Sequence, residues 1–348
     1  MTFSNILLDW YHKNARNLPW RETKDPYLIW ISEIILQQTR VDQGLPYYLR
    51  FANSFPNVLS LHQASEDQVL KLWQGLGYYS RARNMKTAAQ QIVEDFNAVF
   101  PTSYHDLLSL KGIGPYTAAA ISSICFDLPH AVVDGNVYRV LSRHFGIETP
   151  VNSTSGKKEF EQLANQLIPK DHPGNYNQAI MEFGARYCVP SSPDCENCSL
   201  NHSCEAFKTH RVAQLPVKEK KLKIKNRYLH FFYITDGNQF LIEKRETDNI
   251  WKGMYQLPLI ETKEEVDIYE MIESKEFKDL ILNKSFELIN QREVRHKLTH
   301  RNLFIRFYNL KMSDLDNFNF EKIKTEDWQH YAFPKPIFQY LSDLFESE

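Results

Sequence analysis

Two carboxylates and four cysteines are the side chains of this sequence whose types and spacing could do chemistry. Glu33 stands among Ile29, Trp30, Ile34 and Ile35, neighbours that solvate a charge poorly. Burial there would raise its pKa and leave it partly protonated near neutrality, as a proton donor requires. Asp134 falls on a turn between the apolar stretches 121–133 and 137–141, where backbone amides would favour its anion. Environments that split two carboxylates into an acid and an anion let both act at one pH. Cys188, Cys195, Cys198 and Cys204 are separated by gaps of six, two and five residues, and the only other cysteine is Cys125. With so few cysteines in a chain of 348 residues, a metal site is favoured over a disulfide framework. Spacing leaves zinc and a [4Fe–4S] cluster both open. Cys125, alone in an apolar stretch, reads as a small buried hydrophobe.

The elements that position these groups are mostly helical. An aromatic helix pattern (Phe3, Leu7, Trp10, Tyr11) precedes Pro19, and helical spacing continues from 27 to 51, carrying Glu33 and then Gln37-Gln38-Thr39-Arg40 at an end that should open on a polar cavity. Leu110-Lys111-Gly112-Ile113-Gly114-Pro115 is a hinge between helices: the glycines allow positive φ and close approach, and Pro115 suits a first helical turn. Unpaired amides at such a helix start are natural phosphate ligands. A second glycine-rich turn, Gly75-Leu76-Gly77-Tyr78-Tyr79, is followed by Arg81 and Arg83, a mixture suited to a distorted duplex. Near residue 227 the periodicity changes to strands at 228–235, 239–244, 250–260 and 298–310, with an Asp236-Gly237-Asn238 hairpin turn and an acidic helix at 264–279.

A net charge of −2 does not mark a nucleic-acid binder as a whole. Lys+Arg against Asp+Glu runs 17 to 19 over residues 1–204, 8 to 2 over 205–227 and 16 to 22 over 228–348. A basic strap thus joins two acidic lobes, and any DNA contact must use local patches and backbone amides. No apolar run is long enough for a membrane span, and the N-terminal residues are charged early, so a cytoplasmic protein without a secretory signal is expected.

Taken in order over residues 16–204, Ser32-Glu33, Leu36-Gln37-Gln38-Thr39, the Gly75–Gly77 turn, Gly112-Ile113-Gly114, Val133-Asp134-Gly135-Asn136 and the four cysteines resemble the adenine DNA glycosylases of the MutY type, relatives of endonuclease III in the helix–hairpin–helix superfamily. The resemblance implies a mainly α glycosylase domain over 1–204, with a six-helix lobe at about 25–130 and a cluster lobe from 1–24 and 131–204. A basic linker at 205–226 and an α+β, Nudix-like 8-oxoguanine-reading domain at 227–348 would follow. It further implies a monomeric base-excision enzyme that hydrolyses the N-glycosidic bond of adenine opposite 8-oxoguanine or guanine in double-stranded DNA. In that reading Glu33 is the acid, Asp134 the anion, and Tyr116 and Asn136 orient them. Arg21, Gln38, Thr39, Leu76, Tyr78, Arg81, Gly112 and Gly114 meet DNA, and Cys188, Cys195, Cys198 and Cys204 hold a [4Fe–4S] cluster.

Four features, set beside the family's pattern and that of endonuclease III, carry consequences. No G-x5-E-x7-R-E-x-x-E-E box follows Gly253, so the C-terminal domain reads as a recognition module without a Mg²⁺ site. The family's Phe-Ser-His reading turn is here Leu298-Thr299-His300, which keeps a hydroxyl at Thr299 beside His300. Endonuclease III has a Schiff-base lysine where this chain has Tyr116, and without an amine there no imine forms, which implies a monofunctional glycosylase. The cluster loop 189–194 also lacks a basic residue. The rival readings are an endonuclease III-like enzyme acting on oxidised pyrimidines and a non-catalytic iron–sulfur DNA-binding protein.

Overall fold

A computed structural model describes residues 2–219, 224–246 and 250–346. Contacts divide the chain into two units, one of residues 1–63 and 84–220 and one of 64–83 and 221–348. Residues 64–83, expected in the six-helix lobe, therefore group with the C-terminal segment. The helices in chain order are α1 (Phe3–Asn14), α2 (Pro26–Leu36), α3 (Val41–Ser54), α4 (Val58–Gln63), α5 (Glu66–Trp73), α6 (Ser80–Asp95), α7 (Tyr104–Ser109), α8 (Pro115–Phe126), α9 (Gly135–Phe145), α10 (Thr154–Leu167), α11 (Pro173–Arg186) and α12 (Glu205–Lys208). Among the described residues no helix is long and apolar enough to cross a membrane.

α2 lies buried in the first unit. Asp25 caps it by accepting from the Tyr27 amide, Pro26 opens it, and Ile29, Trp30, Ile31, Ile34 and Ile35 bury it on all sides. The single helix expected over 27–51 is two. Gln38 takes φ +56°, which ends α2, and α3 starts at Val41. Gly44 lets α3 come close: a Cβ there would stand 2.8 Å from Leu36 Cδ2. α11 packs against α1, α8 and α9, its approach to α8 made possible by Gly174, where a Cβ would meet the Ser123 carbonyl at 2.7 Å. The fully buried Asn177 on the same helix donates to Ser123 Oγ and the His130 carbonyl and accepts from the Val132 amide.

The expected linker is largely structured. Residues 205–208 form α12, the Val151 amide donates to the Val217 carbonyl, and Asn152 bonds both ways with Glu219. Residues 220–223 of the basic strap lie outside the described residues.

In the second unit the strands are β1 (Lys225–Thr235), β2 (Gln239–Lys244), β3 (Tyr255–Gln256), β4 (Leu259–Thr262), β5 (Glu287–Leu298), β6 (Arg301–Lys311) and β7 (Glu321–Lys324). The sheet runs β3-β2-β1-β6-β5, with β4 on β1 and β7 on β2. β1 and β6 are parallel and the other pairs antiparallel. α13 (Ile268–Glu273) and α14 (Lys275–Leu280) pack Met271 and Phe277 on Phe232, Tyr308 and Leu310. α15 (Lys335–Phe345) stacks Tyr340 on Phe307 with ring centroids 4.3 Å apart.

Three expected elements change form. The strand at 250–260 is two short strands after a turn with Trp251 and Gly253 at positive φ, and the helix at 264–279 is broken by Ser274, which caps α14. The strand at 298–310 begins at Arg301, because Thr299 and His300 form the β5–β6 turn. Segment 64–83 joins this unit through side chains: Lys244 pairs with Asp67, Lys71 donates to the Tyr331 carbonyl, and Gln74 accepts from the Phe333 amide.

Candidate active site

A cavity of about 180 Å³ in the first unit is lined by Glu33, Tyr116, Asp134 and Asn136, the four residues expected to act together. A cavity of about 150 Å³ already admits a benzene ring, so a planar base is a ligand of fitting size. The four residues come from three helices, α2, α8 and α9. Glu33 projects from the apolar α2 and is only 8% exposed. Burial pushes its pKa up to about 7, aided by the charge of Asp134 and opposed by Tyr116 and Arg21. The expected proton donor is therefore half-protonated near neutrality.

Asp134 is the N-cap of α9. Its Oδ1 accepts from the amides of Asn136 (2.9 Å) and Val137 (2.8 Å), and its Oδ2 from Asn136 Nδ2 (2.8 Å). The sequence places Asp134 beside backbone amides that favour its anion, and the structure adds burial to that balance. Burial raises its pKa, with the Val137 and Asn136 hydrogen bonds and the Arg139 charge working against burial. Those donors are still what favours the anion, because each is paired only while Asp134 accepts.

Tyr116 sits in the first turn of α8, directly after the hinge. Its hydroxyl is 3.1 Å from Met181 Sδ, and it favours the ionised form of Glu33. Asn136 is held in turn: Arg139 Nη2 donates to its Oδ1 at 3.0 Å and to the Gly184 carbonyl, while Arg139 Nε reaches the Cys188 carbonyl at 2.7 Å. A chain of hydrogen bonds thus runs from the backbone of Cys188 through Arg139 and Asn136 to the Asp134 carboxylate.

Sequence reasoning missed a third carboxylate in the wall. Glu182 of α11, its side chain 1% exposed, accepts from Arg16 Nε and Nη2 at 2.7 Å and from Arg21 Nη2 at 2.8 Å. Burial alone would raise its pKa, but the hydrogen bonds and charges of the two arginines hold it at about 2. The signal was present only as a glutamate on an otherwise apolar helix face. Arg21, expected to meet DNA, is instead bound inside the protein to Glu182 and to the Arg16 carbonyl.

The remaining expected DNA contacts divide. Gly112 has φ +79°, and a Cβ on it would lie 2.6 Å from Asn84 Cβ, so that turn needs glycine. Gly114 is extended, caps α8 and would meet nothing within 4 Å, leaving its backbone open to an anion. Gln38 is exposed on the α2–α3 break, and Thr39 lines the cavity.

In the second unit Tyr78 is 49% exposed at φ +48°, and its hydroxyl bonds Thr299 Oγ1. Leu76 and Arg81, also expected to meet DNA, are buried. Arg81 donates to the Gly77 carbonyl and lies over the Trp73 ring, and burial lowers its pKa to about 10. Thr299 and His300 are exposed at the hairpin turn.

Cys188, Cys195, Cys198 and Cys204 line one cavity of about 30 Å³ beside Arg143. Arg143 Nη1 approaches Cys188 Sγ at 3.5 Å and holds the Val189 and Pro190 carbonyls, and the Leu200 amide approaches Cys198 Sγ at 3.4 Å. Among the described residues no three His, Cys, Asp or Glu side chains converge as a single ion requires. Four thiols around a shared space, with N–H groups directed at sulfur, fit a larger group held at its corners.

Residues 31–170 match the family model of the HhH-GPD superfamily base excision DNA repair proteins, and residues 230–343 match a NUDIX domain. The adenine DNA glycosylase of Buchnera aphidicola subsp. Schizaphis graminum is 37% identical over 351 residues, covering 99% of each chain. That of Homo sapiens is 40% identical over 222 residues, 61% of this chain and 41% of its own. A thermostable thymine-DNA glycosylase superposes with a TM-score of 0.56 and 29% identity, over 60% of this chain and 95% of its own.

Proposed function

The chain belongs to the adenine DNA glycosylases of base excision repair, and on that premise we propose that its helical cavity releases adenine paired with 8-oxoguanine or guanine in duplex DNA. The observation that carries this reading is the pair Glu33 and Asp134 in one cavity, the first pushed up to about 7 by burial and the second held by three N–H donors. Adenine leaves the base stack at a cost of a few kcal/mol, less at a mispair. Protonated Glu33 donates to adenine N7, which makes the base a better leaving group. Asp134 stabilises the oxocarbenium-like sugar as the glycosidic bond breaks, the division of labour that two carboxylates perform at ordinary glycosides. Glu33, now an anion, takes a proton from the attacking water, and Asn136 and Tyr116 keep both carboxyls in place.

Cys188, Cys195, Cys198 and Cys204 would hold a [4Fe–4S] cluster, which supplies a redox-capable iron centre and a covalent clamp on residues 188–204 when bound. Arg143 and the Leu200 amide would donate to its cysteine sulfurs. Thr299 and His300 would read 8-oxoguanine on the opposite strand, a selection the excision cavity cannot make because an A·T pair holds the same adenine.

The test is single-turnover excision on an A:8-oxoguanine duplex followed by alkali. Glu33→Gln should bind the duplex and release adenine about 10²–10⁴-fold more slowly, the usual contribution of a positioned acid. Undiminished release would remove Glu33 from that role.

A further inference from the structure

The β5–β6 hairpin continues back from the Thr299–His300 turn as a sheet face whose polar side chains have no part in the reading just given. Register places Lys297 opposite Asn302 and Arg295 opposite Phe304, and places Asn226 and Tyr228 beside the same two residues on β1. These six side chains share one face, because paired residues point the same way and residues two apart repeat it. α13 and α14 cover the far part of this face, over Phe232, Tyr308 and Leu310. Nearer the turn Asn226, Arg295 and Lys297 are exposed, and Tyr228 and Phe304 are half-buried.

The face is organised for a polyanion. The Arg295 guanidinium lies 5.4 Å above the Phe304 ring, which stacks on Tyr228 at 5.1 Å, so the cation rests on a rigid aromatic base. Asn302 Nδ2 donates to Asn226 Oδ1 at 3.1 Å, fixing the two amides beside Lys297. Among the described residues neither Arg295 nor Lys297 forms an ion pair with a carboxylate. Further along the face, Glu293 and Glu265 are both taken up by Arg306 at 2.6 Å, so their charges are balanced locally.

We propose that this face grips the phosphate backbone of duplex DNA beside the base that the turn reads, with Arg295 and Lys297 as the phosphate ligands. The dimensions agree. A turn that meets base edges sits at the floor of a groove roughly 7.5–8.5 Å deep. Two and four residues back along a strand are about 7 and 13 Å away. Lys297 therefore reaches the level of the phosphate rim, and Arg295 stands above it with a side chain long enough to return. The inference rests on Thr299 and His300 being the reading turn.

The experiment measures Kd of the full chain against salt on A:8-oxoguanine and A:G duplexes whose adenosine carries a 2′-fluorine that resists glycosidic cleavage. Each phosphate contact contributes about 0.9 to the slope of log Kd on log salt. Arg295→Gln with Lys297→Gln should reduce that slope by about 2, weaken both duplexes alike and keep the preference between them. Arg295→Lys with Lys297→Arg should restore the slope. An unchanged slope in the glutamine variant, folded as judged by circular dichroism, overturns the proposal, as does weakening confined to one duplex. Thr299→Ala with His300→Ala should do the opposite, losing the preference and keeping the slope. If that preference survives, the reading turn is wrong while the phosphate result stands on its own.

Discussion

Glu33 should make the protein less stable as the pH rises, and replacing it should reverse that. In the fold its pKa is pushed from 4.5 to about 7, chiefly by burial. The native state thus holds this proton more tightly than the unfolded chain. Between pH 4.5 and 7 the unfolded chain gives the proton up while the native state keeps it, so stability falls across that window and levels off above it. At about 1.4 kcal/mol for each pH unit, the gap is worth about 3 kcal/mol. The amide introduced by Glu33→Gln carries no charge at any pH. This variant should therefore match the parent near pH 4.5, apart from a constant offset, and gain on it by about 3 kcal/mol by about pH 8. Urea unfolding followed by tryptophan fluorescence at a series of pH values reads this difference. Single-turnover excision by the parent should fall about tenfold per pH unit above about 7, since the donor is then ionised. A stability gap that stays flat with pH, or an excision rate indifferent to pH from about 6 to 9, would refute the assignment of a buried, late-titrating acid.

Three further outcomes are expected. Glu182→Gln leaves Arg16 and Arg21 facing a neutral amide and should cost about 3–5 kcal/mol at neutral pH, the usual result of breaking a buried pair; with Glu182 held at about 2, the parent's own benefit should persist above pH 4.5 and fade as pH falls toward 2, read by acid unfolding. Gly184→Ala would put a Cβ 2.7 Å from Asn136 Cβ and 3.0 Å from its carbonyl, displacing the residue that steadies Asp134; excision should drop on the order of 10²-fold with duplex affinity kept. Borohydride should trap no protein–DNA adduct during turnover, because Tyr116 offers no amine, and a trapped adduct would show that another amine attacks the sugar.

The local parts of the site were legible in the sequence and the distant parts were not. Glu33 announces itself because it stands in the apolar run Ile29, Trp30, Ile34 and Ile35 of its own helix, which the fold buries. Asp134 followed by Gly135-Asn136 reads as a helix start, and the capping bonds are within three residues. Burial of Asp134 depends on chain folded over it from elsewhere, which local spacing does not show. Glu182 was invisible because its arginine partners lie 161 and 166 residues away. Arg81 looked like a phosphate ligand because a guanidinium in a glycine-rich turn usually is exposed, whereas here the turn's own carbonyls capture it. β5 was missed because it is an edge strand exposed along most of its length, with alternation confined to residues 293–298.

Glu33 and Glu182 show that burial does not decide the state of a carboxyl. Both line one cavity, both are nearly inaccessible, and burial favours the neutral form of each. Two arginines bond Glu182 directly and hold it at about 2. Glu33 has only the hydroxyl of Tyr116 and the more distant charge of Arg21 on its side, with Asp134 against it, and it remains near 7. The fold thus gives two arginines to Glu182 and sets neither within hydrogen-bond reach of Glu33, the carboxyl proposed to deliver the proton. Moving one of those arginines within hydrogen-bond reach of Glu33 would strengthen the ion pairing of the cavity and abolish the acid. Under the proposed mechanism Arg16 and Arg21 would serve excision by where their charge is spent, with no need to touch the departing base.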